Sequence, residues 1–314
     1  MNLFEEIVLA LYRIVVAWSV AIFRFFVPPE PKCVSGEVVL ITGGGSGLGR
    51  RLALEFGKRK SVVVVWDINK EGADETKRMV QQAGGVCHVY VCDVGDRENV
   101  AKQGVQVQRE VGHVTMLVNN AGVVTGRPLL ECSEDDIQKT FNVNLLAHFW
   151  TTKFFLPSMV EKNHGHIVNI ASSIGLIGIN KVTDYCASKF GVVGFTEVLN
   201  YELVFAGHTG VHTTLVCPAL ITTGMFDGCS VRFPKVIPPL TPEETAARTM
   251  QAILTNQKQV CIPRIIYTFA VLKMMLPVSA MTEVTRFFGA DTFMDSYVGR
   301  QGDKAEHSGD LKLE

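Results

Sequence analysis

Residues 37–49 read EVVLITGGGSGLG, and the fold turns on how they are read. EVVLIT (37–42) is a short apolar run rich in β-branched residues, which fits a buried strand. GGGSGLG punctuates it, and RRLALEFGKR (50–59) then continues as a helix. A strand, a glycine turn and a helix open a βαβ unit. Inside the turn, Gly43, Gly47 and Gly49 have Gly-x-x-x-Gly-x-Gly spacing, with Ser46 and Leu48 between them. Glycines there let the backbone approach a pyrophosphate, and the helix N-terminus stabilises its charge. The spacing is not the Gly-x-Gly-x-x-Gly of many dinucleotide binders. A glycine turn alone is often only a turn; its place after the first strand gives it weight.

Further strands are predicted at 61–67, 86–93, 114–122, 166–172, 211–218 and 259–263. Helical segments separate the earlier ones, including a long region over 133–161 and another over 183–205. Continuous apolar strands alternating with helices predict a parallel sheet covered on both faces. The expected fold is α/β, a single Rossmann-type doubly wound sheet of about seven strands over residues 36–262. Asp67 ends the second strand, where an acid can accept hydrogen bonds from an adenosine ribose and repel a 2′-phosphate. Arg50 and Arg51 lie nearby. Asp93, closing the third strand, is a weaker candidate for contact with adenine.

The chain has 314 residues and a net charge of -1, so no global basic field suits it to nucleic acid. Its eight cysteines are scattered, without metal-ligand spacing, and read as free thiols in a reducing compartment. Residues 7–27 are almost entirely apolar. On a helix, Glu6, Arg13 and Arg24 fall on nearly one line. A narrow charged stripe on an apolar cylinder fits a membrane anchor over residues 1–30, either tilted, hairpin or interfacial. A helix buried against the domain is the alternative. Residues 263–299 form an apolar extension, predicted to contact a membrane or a second copy, and 300–314 a disordered polar tail.

TDYCASK (183–189) sets Tyr185 and Lys189 four apart on one helix face. A phenol is a poor base at neutral pH, and a nearby ammonium favours its ionised form. Ser172, at the end of the fifth strand, lies where ligands gather in open α/β sheets. TGGGSGLG, NNAG (119–122), Asn144 in FNVN, Ser172 in NIASS and YCASK together resemble the short-chain dehydrogenase/reductase family.

The resemblance implies an NAD-dependent enzyme. Tyr185 would be the acid/base. Lys189 would bind the nicotinamide ribose and lower the tyrosine pKa, and Ser172 would orient the substrate oxygen. Asn144 would support a water-linked proton path to Lys189. Asn119, Asn120, Ala121 and Gly122 would shape the cofactor floor, with Asp93 and Val94 beside the adenine. Pro218, Ile221 and Thr223 would hold the carboxamide and phosphates, although the family's usual Pro-Gly is Pro218-Ala219 here. The apolar flanks, with LITTGMF (220–226) and VRFPKVIPPL (231–240), resemble the membrane-bound subgroup containing the epidermal retinol dehydrogenases. That implies oxidation of all-trans-retinol at the endoplasmic reticulum membrane, with lipid droplets as a second location, in a homo-oligomer. A 17β-hydroxysteroid dehydrogenase and a non-catalytic lipid-droplet protein are the alternatives. No metal is expected.

Overall fold

The computed structural model describes residues 2–27 and 29–299; the expected tail, 300–314, lies outside them. The chain divides into two compact units, with the break after Cys33.

The first unit is one helix, α1 (Leu3–Phe26). A capping box starts it: Glu5 N–H donates to the Asn2 side chain, and Asn2 N–H donates to the Glu5 carboxylate. Large apolar side chains stand exposed along its length, Phe4, Leu11, Trp18 and Phe23 among them. Among the described residues α1 is the one helix long and apolar enough to cross a bilayer.

The second unit begins at Val34. Its elements run β1 (Val38–Thr42), α2 (Gly47–Lys58), β2 (Val62–Asp67), α3 (Lys70–Gln82), β3 (Val86–Val91), α4 (Arg97–Glu110), β4 (Met116–Asn119), α5 (Glu134–Phe141), α6 (Ala147–Glu161), β5 (Gly165–Ile170), α7 (Thr183–Phe205), β6 (Val211–Pro218), α8 (Pro242–Leu254), β7 (Gln259–Ile262), α9 (Ile266–Met275) and α10 (Val278–Phe287). The seven strands are all parallel, in the order β3-β2-β1-β4-β5-β6-β7. The order reverses between β1 and β4, and such a switch point opens a crevice at the carboxyl ends of the strands.

Two apolar layers sandwich the sheet. Leu52 and Phe56 of α2, Val80 of α3 and Met250 of α8 pack on one face. Val107 of α4, Phe155 of α6 and Leu203 of α7 pack on the other. Helix α8 goes beyond the sequence expectations, although its start carries plain signals. Pro242 occupies the first turn, and the Thr241 hydroxyl accepts from Glu244 N–H. The expected long helix over 133–161 is two helices joined by a π-turn, Asn142–Leu146. Residues 263–299 pack into the second unit: Ile266 and Phe269 of α9 are buried with Cys217 and Cys261 of the sheet.

Candidate active site

Two cavities open at the carboxyl ends of the strands. The larger, about 250 Å³, runs across the switch point. Gly43, Ser46, Gly47 and Leu48 line one end, with Asp67 and Ile68 from the end of β2. Asp93 and Val94 line it from the loop after β3, just past the strand's end at Val91 rather than on the strand. Asn120, Ala121 and Gly122 form another wall, and Pro218, Ile221 and Thr223 a third. Tyr185, Lys189 and Ser172 stand at the far end.

Three expected residues do not line it. Gly49 packs against the turn itself: a Cβ there would lie 2.3 Å from the Gly43 carbonyl oxygen. Its role is a close helix-to-turn approach. Asn119 turns away from the cavity, its amide donating to the Asn169 oxygen at 2.9 Å and accepting from Thr151 at 2.7 Å. Asn144 is fully buried in the π-turn. Its oxygen accepts from Val123 N–H at 2.8 Å, and its nitrogen donates to the Val123 carbonyl at 2.9 Å and to Ser188 at 3.2 Å. It therefore latches the backbone that follows Gly122.

The glycine turn is held by side chains on both sides. Asn120 donates to the Thr42 and Gly43 carbonyls, while the Thr42 hydroxyl accepts from the backbone of Asn120 and Ala121. Thr42 is a contributor that sequence reasoning misses; its only signal is its place between strand and glycines. Asp67 accepts from Gly45 N–H at 2.8 Å and from Asn69 N–H at 2.9 Å, so it braces the turn as well as facing the cavity. Arg50 is committed elsewhere: it donates to the Gly45 carbonyl at 2.6 Å and pairs with Glu75 at 2.7 Å. Arg51 pairs with Glu243 at 2.6 Å.

At the other end, Tyr185 and Lys189 share a face of α7, with the ammonium 5.6 Å from the centre of the phenol ring. Both are nearly inaccessible. The ammonium donates to the Ile170 carbonyl at 2.9 Å, and burial brings its pKa down to about 8. Burial also pushes the Tyr185 phenol up from its ordinary value, a nearby Cys186 adds to this, and the hydrogen bond with Ser172 opposes it. The family resemblance implies that the lysine lowers the phenol's pKa. In the structure the Ser172 hydrogen bond lowers it, and the Lys189 ammonium, 5.6 Å from the ring centre, also donates to the Ile170 carbonyl.

The second cavity, about 140 Å³, adjoins the first at Ser172, Ala219 and Phe226. Its walls are apolar, supplied by Ile237 of the 220–240 loop, by Ile266 and Phe269 of α9, and by Phe288 and Phe293 beyond α10. The apolar composition of the loop foreshadows such a cover. Phe293 has no periodic neighbours to mark it and escapes a sequence reading.

A parallel sheet with a glycine turn at its switch point thus faces a Ser-Tyr-Lys group across one crevice. Residues 37–230 match the short chain dehydrogenase family. Retinol dehydrogenase 10 from Rattus norvegicus and from Homo sapiens are each 46% identical to the chain, over 96% of it and 96% of their own length. Among solved structures, a short chain dehydrogenase/reductase from Burkholderia phymatum in complex with NAD superposes with a TM-score of 0.71 at 28% identity, covering 78% of this chain and 95% of that one. A metagenomic short-chain oxidoreductase in complex with NADP gives 0.62 at 27% identity, covering 73% and 97%. The chain belongs to the short-chain dehydrogenase family.

Proposed function

We propose that the protein is a membrane-associated dehydrogenase that oxidises all-trans-retinol to all-trans-retinal with NAD. The observation that carries this reading is the meeting of an apolar cavity and a more polar one at Ser172, with Tyr185 beside it. A long apolar alcohol can bury its chain in the first and present its oxygen to the second. The retinol dehydrogenase relatives favour a retinoid among such alcohols.

The donor set of the larger cavity fits a dinucleotide. Gly43, Ser46, Gly47 and Leu48 would take the pyrophosphate at the N-terminus of α2. Asp67 would take the adenosine ribose, Asp93 and Val94 the adenine side, and Asn120, Ala121 and Gly122 the floor. Pro218, Ile221, Thr223 and Lys189 would hold the nicotinamide end. When bound, NAD supplies the acceptor for a hydride. Ser172 holds the alcohol oxygen, and Tyr185 takes its proton as the carbon–hydrogen bond breaks. The Lys189 cation favours the phenolate form. Asn144 keeps the Val123 backbone in place beside Lys189 and so supports the route by which the proton leaves.

The preference for NAD rests on Asp67 and on the two arginines. An acid faces the adenosine end, while Arg50 and Arg51 are both tied to glutamates and offer no charge to a 2′-phosphate. The wild type should therefore work better with NAD than with NADP. Asp67→Ala should lower efficiency with both, because Gly45 N–H loses its acceptor. It should lower efficiency less with NADP, since the repulsion is relieved. Steady-state kinetics with each cofactor would contradict the assignment if the wild type favoured NADP.

Helix α1 is the proposed anchor, on the endoplasmic reticulum and on lipid droplets. Its apolar span of 22 residues is about 33 Å long at ~1.5 Å per residue, enough for ~30 Å of hydrocarbon. The exposed Met274, Met275 and Val278 at the turn between α9 and α10 offer a second apolar contact. One preparation tests substrate and anchor together. Native membranes carrying the protein, washed with carbonate, should retain it and should consume all-trans-retinol more efficiently than estradiol in a competition at limiting concentration. Higher efficiency on estradiol would replace the retinoid by a steroid; release by the wash would remove the anchor.

A further inference from the structure

The geometry points to the C-terminal segment 290–299 as a specificity-determining wall of the alcohol site, in which Phe293, held against Phe226, selects among lipophilic alcohols. The inference rests on the dehydrogenase reading and adds a residue beyond the fold's parallel sheet to the site.

The segment contains neither helix nor strand, yet it is fastened to three separate loops. Asn180 N–H donates to the Ala290 carbonyl at 3.2 Å, and Lys181 pairs with Asp295 at 2.7 Å. Val298 N–H donates to the Asp227 carbonyl at 2.8 Å. The Tyr297 hydroxyl donates to the Val124 carbonyl at 3.4 Å. These anchors straddle the catalytic candidates. Between them Met294 is 3% exposed and packs in one cluster with Val182, Tyr185 and Cys186. A chain segment that fills space beside Tyr185 is part of the site's wall rather than a loose end.

Phe293 lines the apolar cavity, and it is the larger of the two segment side chains that do, the other being Ala290. Its ring centre lies 6.4 Å from that of Phe226, which in turn meets the Tyr185 ring edge-on at 5.6 Å and 89°. Phe226 lines both cavities and Phe293 the apolar one, so the pair walls the cavity in which an alcohol's chain lies when its oxygen is at Ser172. A short alcohol fits at the Ser172 end of the apolar cavity without reaching Phe293. A long one gains or loses contact with it. Phe293 therefore acts on the ratio between long and short alcohols, while the proton transfer at Tyr185 is common to both.

Gly228 supplies an independent handle. It has φ +88°, and a Cβ there would lie 1.8 Å from the Ser296 carbonyl oxygen. Gly228→Ala thus pushes against the segment without changing a residue that lines either cavity. Phe293→Ala removes the wall directly.

The test measures kcat/KM for all-trans-retinol and for the short allylic alcohol 3-methyl-2-buten-1-ol, with the full chain in membranes and saturating NAD. NADH binding is measured alongside. In Phe293→Ala the retinol-to-short-alcohol ratio should fall about tenfold, through a higher KM for retinol, and Gly228→Ala should move it the same way. NADH binding should hold within about twofold in both, since neither residue lines the cofactor cavity. A ratio within about twofold of wild type in both variants would overturn the inference, and so would parallel loss of NADH binding, which would mark the segment as a support of the fold. If the wild type prefers another long alcohol to retinol, the retinoid reading fails in the wild type, and that alcohol takes retinol's place in the ratio.

Discussion

Tyr185→Phe should lower kcat by about 10²–10⁴-fold, the range for loss of a general acid–base group, while NADH binding stays close to wild type. The substitution removes one oxygen and keeps the ring. Packing against Phe226, Val182, Cys186 and Met294 is therefore preserved. Ser172 loses a hydrogen-bond partner but keeps its bond from Ile174 N–H at 3.3 Å. The phenol is also a costly group to ionise where it stands, because burial raises its pKa. On the proposed mechanism the bound ligands and the Lys189 cation must therefore favour the phenolate before the proton is accepted. Stopped-flow or steady-state turnover on any accepted alcohol, with fluorescence titration of NADH, makes the measurement. Turnover within about tenfold of wild type would remove Tyr185 from the proposed role.

The sheet was legible because its signals are local. Runs such as VVVVW in β2 can only be covered on both faces, and each is punctuated by a turn. Position in such a sheet also brought Ser172, Tyr185 and Lys189 into one crevice, since β5 and α7 end and begin on its rim. What escaped was long-range or ambiguous. Residues 265–281 read from composition as a membrane contact or a contact with a second copy. In the structure α9 has a buried part, Ile266 and Phe269, and an exposed apolar end, Met274 and Met275. The π-turn at Asn144 breaks no hydrophobic period, so 133–161 read as one helix. The charge of Asp67 points toward a ligand in the sequence; its bonds to Gly45 and Asn69 depend on a turn that folds back over it. The 290–299 segment has no period at all, and only its tertiary contacts give it a place.

Lys189→Met separates two consequences of one buried ammonium. For catalysis, losing the cation should lower kcat/KM on the order of 10²–10³-fold, as removal of one preorganised electrostatic group does, and should weaken NADH binding, since the lysine lines the cofactor cavity. Tyr185→Phe leaves that binding alone, so the pair of variants distinguishes proton transfer from cofactor holding. For stability the sign is opposite. Burial lowers the native pKa of Lys189 from 10.5 to about 8. Between those values the unfolded chain still carries the proton that the native chain has released. Stability contributed by this group therefore rises as pH increases through that window, by up to a few kcal/mol. Buried thiols work the other way: Cys87 and Cys92 are pushed up to about 12 from 9, so the native state keeps protons that the unfolded chain loses. The informative quantity is thus the difference between wild type and variant. In thermal melts of the cofactor-free protein, Lys189→Met should be the more stable form near pH ~7, and its advantage should shrink as pH approaches 10.5. A constant difference across that range would mean that Lys189 is not the group titrating there.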